Sequence, residues 1–262
     1  MTSSKSKPAA ELLPSPRHRQ SHNYPLLVRR WRTAVKAAGL KIREFARASG
    51  FPVLTIESRK PPDKARRIYL SAGIHGDEPA GCLALLDWIE RNPKLARELD
   101  LRIFPCLNPW GLAHNKRSDE LGRDLNRCYR DSAGSHTAAH ISLLKNQHFD
   151  LALILHEDYD AQGCYIYETS NRRPHFAEKI LSAMSRHIPP DPRRTIDGSR
   201  ARMGVIRRRV SPETMPDWPE AFALHFFHAK RTLTIETPSE FSIHHRTAAH
   251  RAAIEAALHL IQ

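Results

Sequence analysis

The chain has 262 residues, 40% of them hydrophobic, which is too apolar for a disordered polymer and ample for a buried core. Lys and Arg number 41 against 28 Asp and Glu, a formal net charge of +13, which reads either as a nucleic-acid-binding surface or as a basic face that draws in acidic small substrates. No stretch approaches the roughly eighteen uninterrupted apolar residues of a membrane span. The four cysteines, Cys82, Cys106, Cys128 and Cys164, form no CxxC pair, which disfavours a disulfide scaffold and a cysteine-built metal site.

Residues 1–20 are rich in Ser, Pro, Lys and Arg and lack an apolar run. They are expected to be a disordered basic tail rather than a secretory signal, in a cytoplasmic protein with reduced thiols. The remainder, 21–262, is expected to form a single domain. Leu27, Trp31, Ala34 and Ala38 recur at helical spacing over 24–39, with Pro25 in the first turn and Gly39 as a stop. Two β-leaning runs around Ser49-Gly50, residues 41–48 and 51–56, predict a hairpin. Strands and helices then alternate. Strands are expected at 67–73, 101–107, 151–155 and 232–235, and helices at 79–90, 133–147, 175–187, 220–228 and 244–261. This alternation predicts an α/β fold with a mixed, mostly parallel central sheet and helices on both faces. Sites in such sheets form just beyond the carboxyl ends of the strands.

Those strand ends carry unusual residues. The first core strand runs into Gly73-Ile-His75-Gly-Asp-Glu78-Pro79, where a turn into a helix can aim both His75 and Glu78 at one point. The apolar run 151–155 leads directly into His156, and the run 232–235 into Glu236. With 16 histidines in the chain, one such residue alone means little, and a lone HxxE arises often by chance. Four residues after three different strands are harder to dismiss. Two imidazoles and one carboxylate form a catalytic zinc set that leaves a position open for water, whose pKa zinc lowers to about 7. A second, unligated carboxylate would then accept the water's proton and pass it to the leaving amine. Glu236 is the candidate for that role.

With these residues in place, the sequence resembles the zinc metallocarboxypeptidases of the carboxypeptidase A type. It also resembles their relatives, the succinylglutamate desuccinylases and aspartoacylases. The segment from His75 to Glu78 is similar to the family's HxxE motif, Asn108-Pro-Trp110-Gly111 to its NPDG turn, and Asp124-Leu-Asn126-Arg127 to its DLNR motif. The opening hairpin is also similar, and the resemblance spans roughly residues 24–262. It implies a carboxypeptidase-like (phosphorylase/hydrolase-like) fold and one zinc ion per chain held by His75, Glu78 and His156. It implies Glu236 as general base and then general acid, and Arg117 as the cation that polarises the scissile carbonyl. It implies Asn126 and Arg127 as the pair that holds the substrate's terminal carboxylate. Trp110 stands where the family has Asp, and Cys128-Tyr129-Arg130 replaces Asn-Phe-Pro. These departures are expected to border the pocket. The family's mobile tyrosine has no motif, although Tyr159, Tyr165 and Tyr167 lie on the segment after His156.

The resemblance leaves two enzymatic readings open. One is a compact metallocarboxypeptidase acting on small peptides, including cell-wall-derived (murein) ones. The other is an N-acyl amino-acid amidohydrolase of the aspartoacylase type. Both act beside a free carboxylate, so the expected partner is a small peptide or N-acyl amino acid, with no membrane partner. Aspartoacylase relatives carry a β-rich domain after the general base, whereas here 26 residues follow Glu236 and read as one helix, which favours the peptidase. A third reading, a basic nucleic-acid binder with a vestigial metal site, rests on the tail and on Arg207 to Arg209. It is disfavoured because it leaves a complete zinc-and-base set idle. The sequence does not fix an oligomeric state.

Overall fold

A computed structural model describes residues 20–132, 136–169, 172–207, 209–213 and 216–262. The expected tail, apart from Gln20, lies outside the described residues, as do the start of the helix expected at 133–147 and Arg208. The chain opens with α1 (Tyr24–Ala38), whose first turn is capped by the Asn23 side chain accepting from Leu26 N at 3.0 Å. Its apolar stripe of Leu27, Trp31, Ala34, Val35 and Ala38 is buried, and Gly39 ends it in the left-handed conformation (φ 69°). The hairpin forms as expected from β1 (Lys41–Ala48) and β2 (Phe51–Glu57), antiparallel about the Ser49-Gly50 turn.

The central elements follow in alternation: β3 (Arg67–Ala72), α2 (Pro79–Arg91), α3 (Pro93–Glu98), β4 (Asp100–Phe104), α4 (Pro109–His114) and α5 (Thr137–Leu144). Next come β5 (Leu151–Asp158), β6 (Tyr165–Glu168) and α6 (Ala177–Met184). The short strands β7 (Thr195–Ile196), β8 (Ser199–Arg202) and β9 (Val205–Ile206) precede α7 (Glu220–Ala223), which runs on into a π-helical turn, Leu224–His228. Strand β10 (Thr232–Pro238) and α8 (Ile243–Ile261) complete the chain.

The described strands form one ten-stranded sheet in the order β1-β2-β4-β3-β5-β10-β6-β9-β8-β7. Successive residues along β3 and β5 face opposite sides, as strand geometry requires. Ile68, Leu70, Leu151, Leu153 and Leu155 pack on α2 and α8 in one buried cluster that also takes in α1 and α6. Tyr69, Ala152 and Ile154 pack on the other face with Leu144 of α5 and Phe222 and Ala223 of α7. Helices therefore cover both faces, as the alternation predicts. The expected mostly parallel character holds for β4-β3-β5-β10, which pair parallel throughout, and recurs at β6–β9. The flanks pair antiparallel: β1–β2, β7–β8 and β8–β9 through two-residue turns too short for a crossover, and β2–β4 and β10–β6 between strands farther apart in the chain. All three turns, Ser49-Gly50, Asp197-Gly198 and Met203-Gly204, have positive φ at both residues, the hairpin geometry that fits the twist of paired strands. No described helix is long and apolar enough to cross a membrane.

One close approach fixes the loop after β3. A Cβ added to Gly76 would lie 1.9 Å from the carbonyl carbon of Gly111 and 2.2 Å from Leu112 N, both backbone atoms that cannot swing aside. Gly76→Ala is expected to lower stability by about 2–3 kcal/mol through overpacking. A denaturant midpoint equal to that of the unaltered protein would show that the two loops are not in contact.

Candidate metal centre

The site is built from the loops that leave the parallel strands. After β3 the chain turns at Gly73 (φ 64°), where an added Cβ would lie 2.5 Å from the Cys82 sulfur, so only a glycine fits over the packed thiols. This turn lifts His75 to the sheet's edge, and Glu78 follows as the residue capping α2, with Pro79 in its first turn. The turn Asn108–Gly111 braces the same loop. Asn108 N donates to Gly73 O at 2.7 Å, and Asn108 Oδ1 accepts from Gly111 N at 2.9 Å. Asn108 Nδ2 donates to the carbonyls of Arg117 (3.3 Å) and Ser118 (3.1 Å). This wholly buried amide ties the His75 loop, α4 and the Arg117 loop into one frame.

His156 arrives from β5. The register of the sheet sets Glu236 of β10 beside it and Tyr165 of β6 beyond, and registered neighbours on adjacent strands share a face. His75 is 3% exposed, Glu78 4% and His156 4%. Glu78 Oε1 lies 2.5 Å from His75 Nδ1, and Oε2 lies 2.8 Å from His156 Nδ1. One ligand atom from each of the three residues falls within 4.8 Å of the others.

The donor chemistry fits zinc. Two imidazole nitrogens and a carboxylate from three segments face one small volume. His75 Nε2 is held at 3.2 Å from Asp124 Oδ1, so the Nε2–H tautomer leaves Nδ1 free to ligate. Asp124, which the sequence reading quotes within a motif without giving it a role, is thus the group that orients His75. It also accepts from Asn126 N at 2.9 Å and pairs with Arg117 at 3.2 Å.

The charges around the centre follow from burial and crowding. Burial opposes a charged His75, but the facing Glu78 carboxylate and Asp124 outweigh it and raise the imidazole to about 9. Burial alone would raise Glu78, yet His75 and His156 hold it far below the usual carboxylate range. Glu236, half-buried, is pushed well above that range by burial, with Glu78, Asp158 and Asp197 adding and Arg117 opposing. A carboxyl raised in this way holds a proton more tightly than a free one, as a group that must accept and return one requires.

A cavity of about 400 Å³ opens over these groups. All seven residues singled out in the sequence line it: His75, Glu78, Arg117, Asn126, Arg127, His156 and Glu236. Arg117 reaches to 3.5 Å from Glu78 Oε1 with half its side chain exposed. Arg127 is exposed, its guanidinium donating to the Asn126 carbonyl at 2.9 Å. Asn126 Oδ1 accepts from Glu220 N at 2.9 Å. A backbone N–H can only donate, which assigns the amide's oxygen and leaves its NH2 as the group offered to the cavity. Tyr159, Tyr165 and Tyr167 also line the cavity. Tyr165 donates to Asp158 at 2.9 Å and Tyr167 to Asp197 at 2.7 Å, while Tyr159 is 74% exposed. The departures from the family's motifs, Trp110 and Cys128-Tyr129-Arg130, do not line it, contrary to expectation. Trp110 stacks on His114 of α4 instead, and Tyr129 is buried.

Comparison with known proteins bears on the fold. Residues 64–190 match the family model described as the succinylglutamate desuccinylase/aspartoacylase catalytic domain. The structure superposes on a crystal structure of a candidate metallopeptidase from Shewanella amazonensis SB2B with a TM-score of 0.82 at 23% identity, covering 92% of this chain and 94% of that one. A metallo-carboxypeptidase from Pseudomonas aeruginosa, in complex with (2-guanidinoethylmercapto)succinic acid, superposes with a TM-score of 0.63 at 17% identity, covering 89% and 68%. A curated relative, "Carboxypeptidase 2" of Trichophyton tonsurans, is 37% identical over 75 residues, 26% of this chain. That match spans only 14% of the fungal protein. The fold is therefore carboxypeptidase-like, and the resemblance read from the motifs is borne out.

Behind His156, the next residue, Glu157, is buried and bonded to Arg246 of α8 and to Ala80 N (2.7 Å). Burial pushes its carboxyl up to about 7, against the pull of Arg246 and Ala80. Arg246→Met is expected to cost about 3 kcal/mol by stranding this buried acid, and Glu157→Gln in the same protein should recover much of the loss. Chemical denaturation of the two variants checks this, and additive losses would show that the two groups do not interact.

Proposed function

We propose that the protein is a zinc-dependent amide hydrolase acting beside a free carboxylate, in the first instance a metallocarboxypeptidase on small peptides. The observation that carries this reading is the convergence of His75, Glu78 and His156 on one small volume, in a cavity that Glu236 also lines. One sheet carries or anchors all four groups, which supports taking residues 21–262 as a single catalytic unit.

His75 Nδ1, Glu78 and His156 Nδ1 would hold the metal. Bound there, zinc would act as a Lewis acid and make a water nucleophilic at neutral pH. Glu236 would take the proton of that water and return it to the leaving amine. Arg117, half exposed at the cavity wall, would donate to the oxygen that gains charge as the carbonyl is attacked. The Arg127 guanidinium would offer a substrate carboxylate two parallel donors, with the Asn126 NH2 beside it. The succinic acid compound held by the Pseudomonas relative supports a carboxylate-bearing ligand.

A second reading, an N-acyl amino-acid amidohydrolase, is favoured by the family match over residues 64–190. It uses the same metal, base and clamp on a different acyl group. Hydrolysis of dipeptides, N-acyl amino acids and γ-linked murein peptides, with and without a chelator, separates the two. Activity on peptides alone supports the peptidase, activity on N-acyl amino acids alone the second reading, and chelator-resistant activity neither.

Metal analysis is expected to find close to one zinc per chain, and His75→Ala should lose it; full retention would remove the ligand assignment. Glu236→Gln should keep zinc and lower kcat by about 10²–10⁴. Arg127→Ala should raise KM for free-carboxylate substrates far more than for their C-terminal amides, and equal effects on both would count against a carboxylate clamp.

A further inference from the structure

The face of the sheet behind the cavity holds a buried polar network that the proposed chemistry does not use. Tyr69 of β3, His140 of α5 and Glu220 of α7 are at most 1% exposed, and Tyr129 is 5% exposed. Their surroundings are apolar: the Tyr69 ring packs on Phe104 and Phe149, each with ring centres 5.3 Å away. Four polar groups in such a cluster are costly unless each is satisfied.

They bond to one another in a single direction, while Glu220 Oε2 has no hydrogen-bond partner among the described residues. The Tyr129 hydroxyl donates to His140 Nδ1 at 2.7 Å. His140, with burial holding its pKa down to about 3, is neutral, and its Nε2–H then faces the Tyr69 oxygen at 3.0 Å. The Tyr69 hydroxyl in turn donates to the Glu220 carboxyl. From Glu220 the connection leaves the network through the backbone, because Glu220 N holds Asn126 Oδ1 at 2.9 Å. Asn126 is three residues before Tyr129, and Tyr129 N donates to Trp218 O at 3.2 Å. The path therefore closes on itself, from Asn126 along the chain to Tyr129, then His140, Tyr69, Glu220 and back to Asn126.

We propose that Tyr129, His140, Tyr69 and Glu220 are positioning residues for the carboxylate clamp, fixing the Glu220 backbone so that Asn126 presents its NH2, and not its carbonyl, to the substrate's carboxylate. This rests on the reading above that Asn126 and Arg127 hold that carboxylate. The physical need is definite. An Asn amide free to rotate would turn its oxygen to the cavity part of the time and repel the anion it should bind. A network that only pinned α5 and α7 to the sheet would have no reason to end on that amide.

The test uses zinc-loaded protein with a hydrolysed dipeptide and its C-terminal amide as probes. Tyr69→Phe removes one oxygen and leaves the ring packed. It is expected to raise KM for the free-carboxylate dipeptide about five- to tenfold, the scale of one lost hydrogen bond. It should leave kcat and the KM of the amide within about twofold. Glu220→Met should do the same, whereas Glu220→Gln, which keeps an acceptor for Tyr69, should stay near the unaltered protein. The Asn126 side-chain NH2 resonances should be sharp in the unaltered protein and broaden in Tyr69→Phe. Asn126→Ala, measured in parallel, separates two failures. If Asn126→Ala leaves the dipeptide's KM unchanged, the clamp reading itself falls. If Asn126→Ala raises it but Tyr69→Phe does not, the network is a structural pin only and the inference is overturned. A Tyr69→Phe variant that loses activity on dipeptide and amide alike, in step with a lower melting temperature, overturns it as well.

Discussion

A buried carboxylate facing two imidazole nitrogens, each arriving from a different strand, is the interaction around which this molecule is arranged. Glu78 is buried from water, and His75 and His156 each meet one of its two oxygens. Burying an acid at that depth is expensive unless positive charge meets it. The two imidazoles lend that charge while protonated; made neutral, as ligation requires, they would leave the role to a divalent cation. Asp124 fits the same logic, because by holding His75 Nε2 it settles which nitrogen is left bare.

Holding three donors within a few ångströms requires rigid loops, and the structure shows how they are made so. Asn108 spends its whole amide on backbone partners in the Arg117 loop and α4. Gly73 and Gly76 let the β3 loop lie against its neighbours with no intervening side chain. Glu157, clamped by Arg246 and Ala80, fixes the strand end that carries His156. Each of these residues lies next to a metal-site or pocket residue in sequence or in space, so the frame and the site share the same short segments.

The parallel heart of the fold was legible because β3, β4, β5 and β10 are apolar runs flanked by helices, and a strand buried on both faces has little other sequence signature. The ligand set was legible for a related reason: a polar residue directly after such a run stands out. The outer half of the sheet was not legible. Strands β6 to β9 are two to four residues long and mix Arg, Ser and Glu with apolar residues. The Asp197-Gly198 pair was the one readable hairpin signal there. Helices α3 and α4 were missed because each is six residues long, too short for a periodic pattern, although Asn-Pro opens both. The Tyr69–His140–Glu220 network was beyond any local pattern, since its members are 71 and 151 residues apart. Only the folded sheet, with α5 and α7 packed on one face, brings them together.

The central claim is that one metal ion sits among His75, Glu78 and His156. X-ray absorption spectroscopy of the zinc-loaded protein tests it most directly. The account predicts a shell of nitrogen and oxygen at about 2.0–2.1 Å, with the outer-shell scattering of two imidazoles, both lost when His75 and His156 are replaced together. A sulfur shell at about 2.3 Å, or a spectrum indifferent to those two histidines, would contradict it.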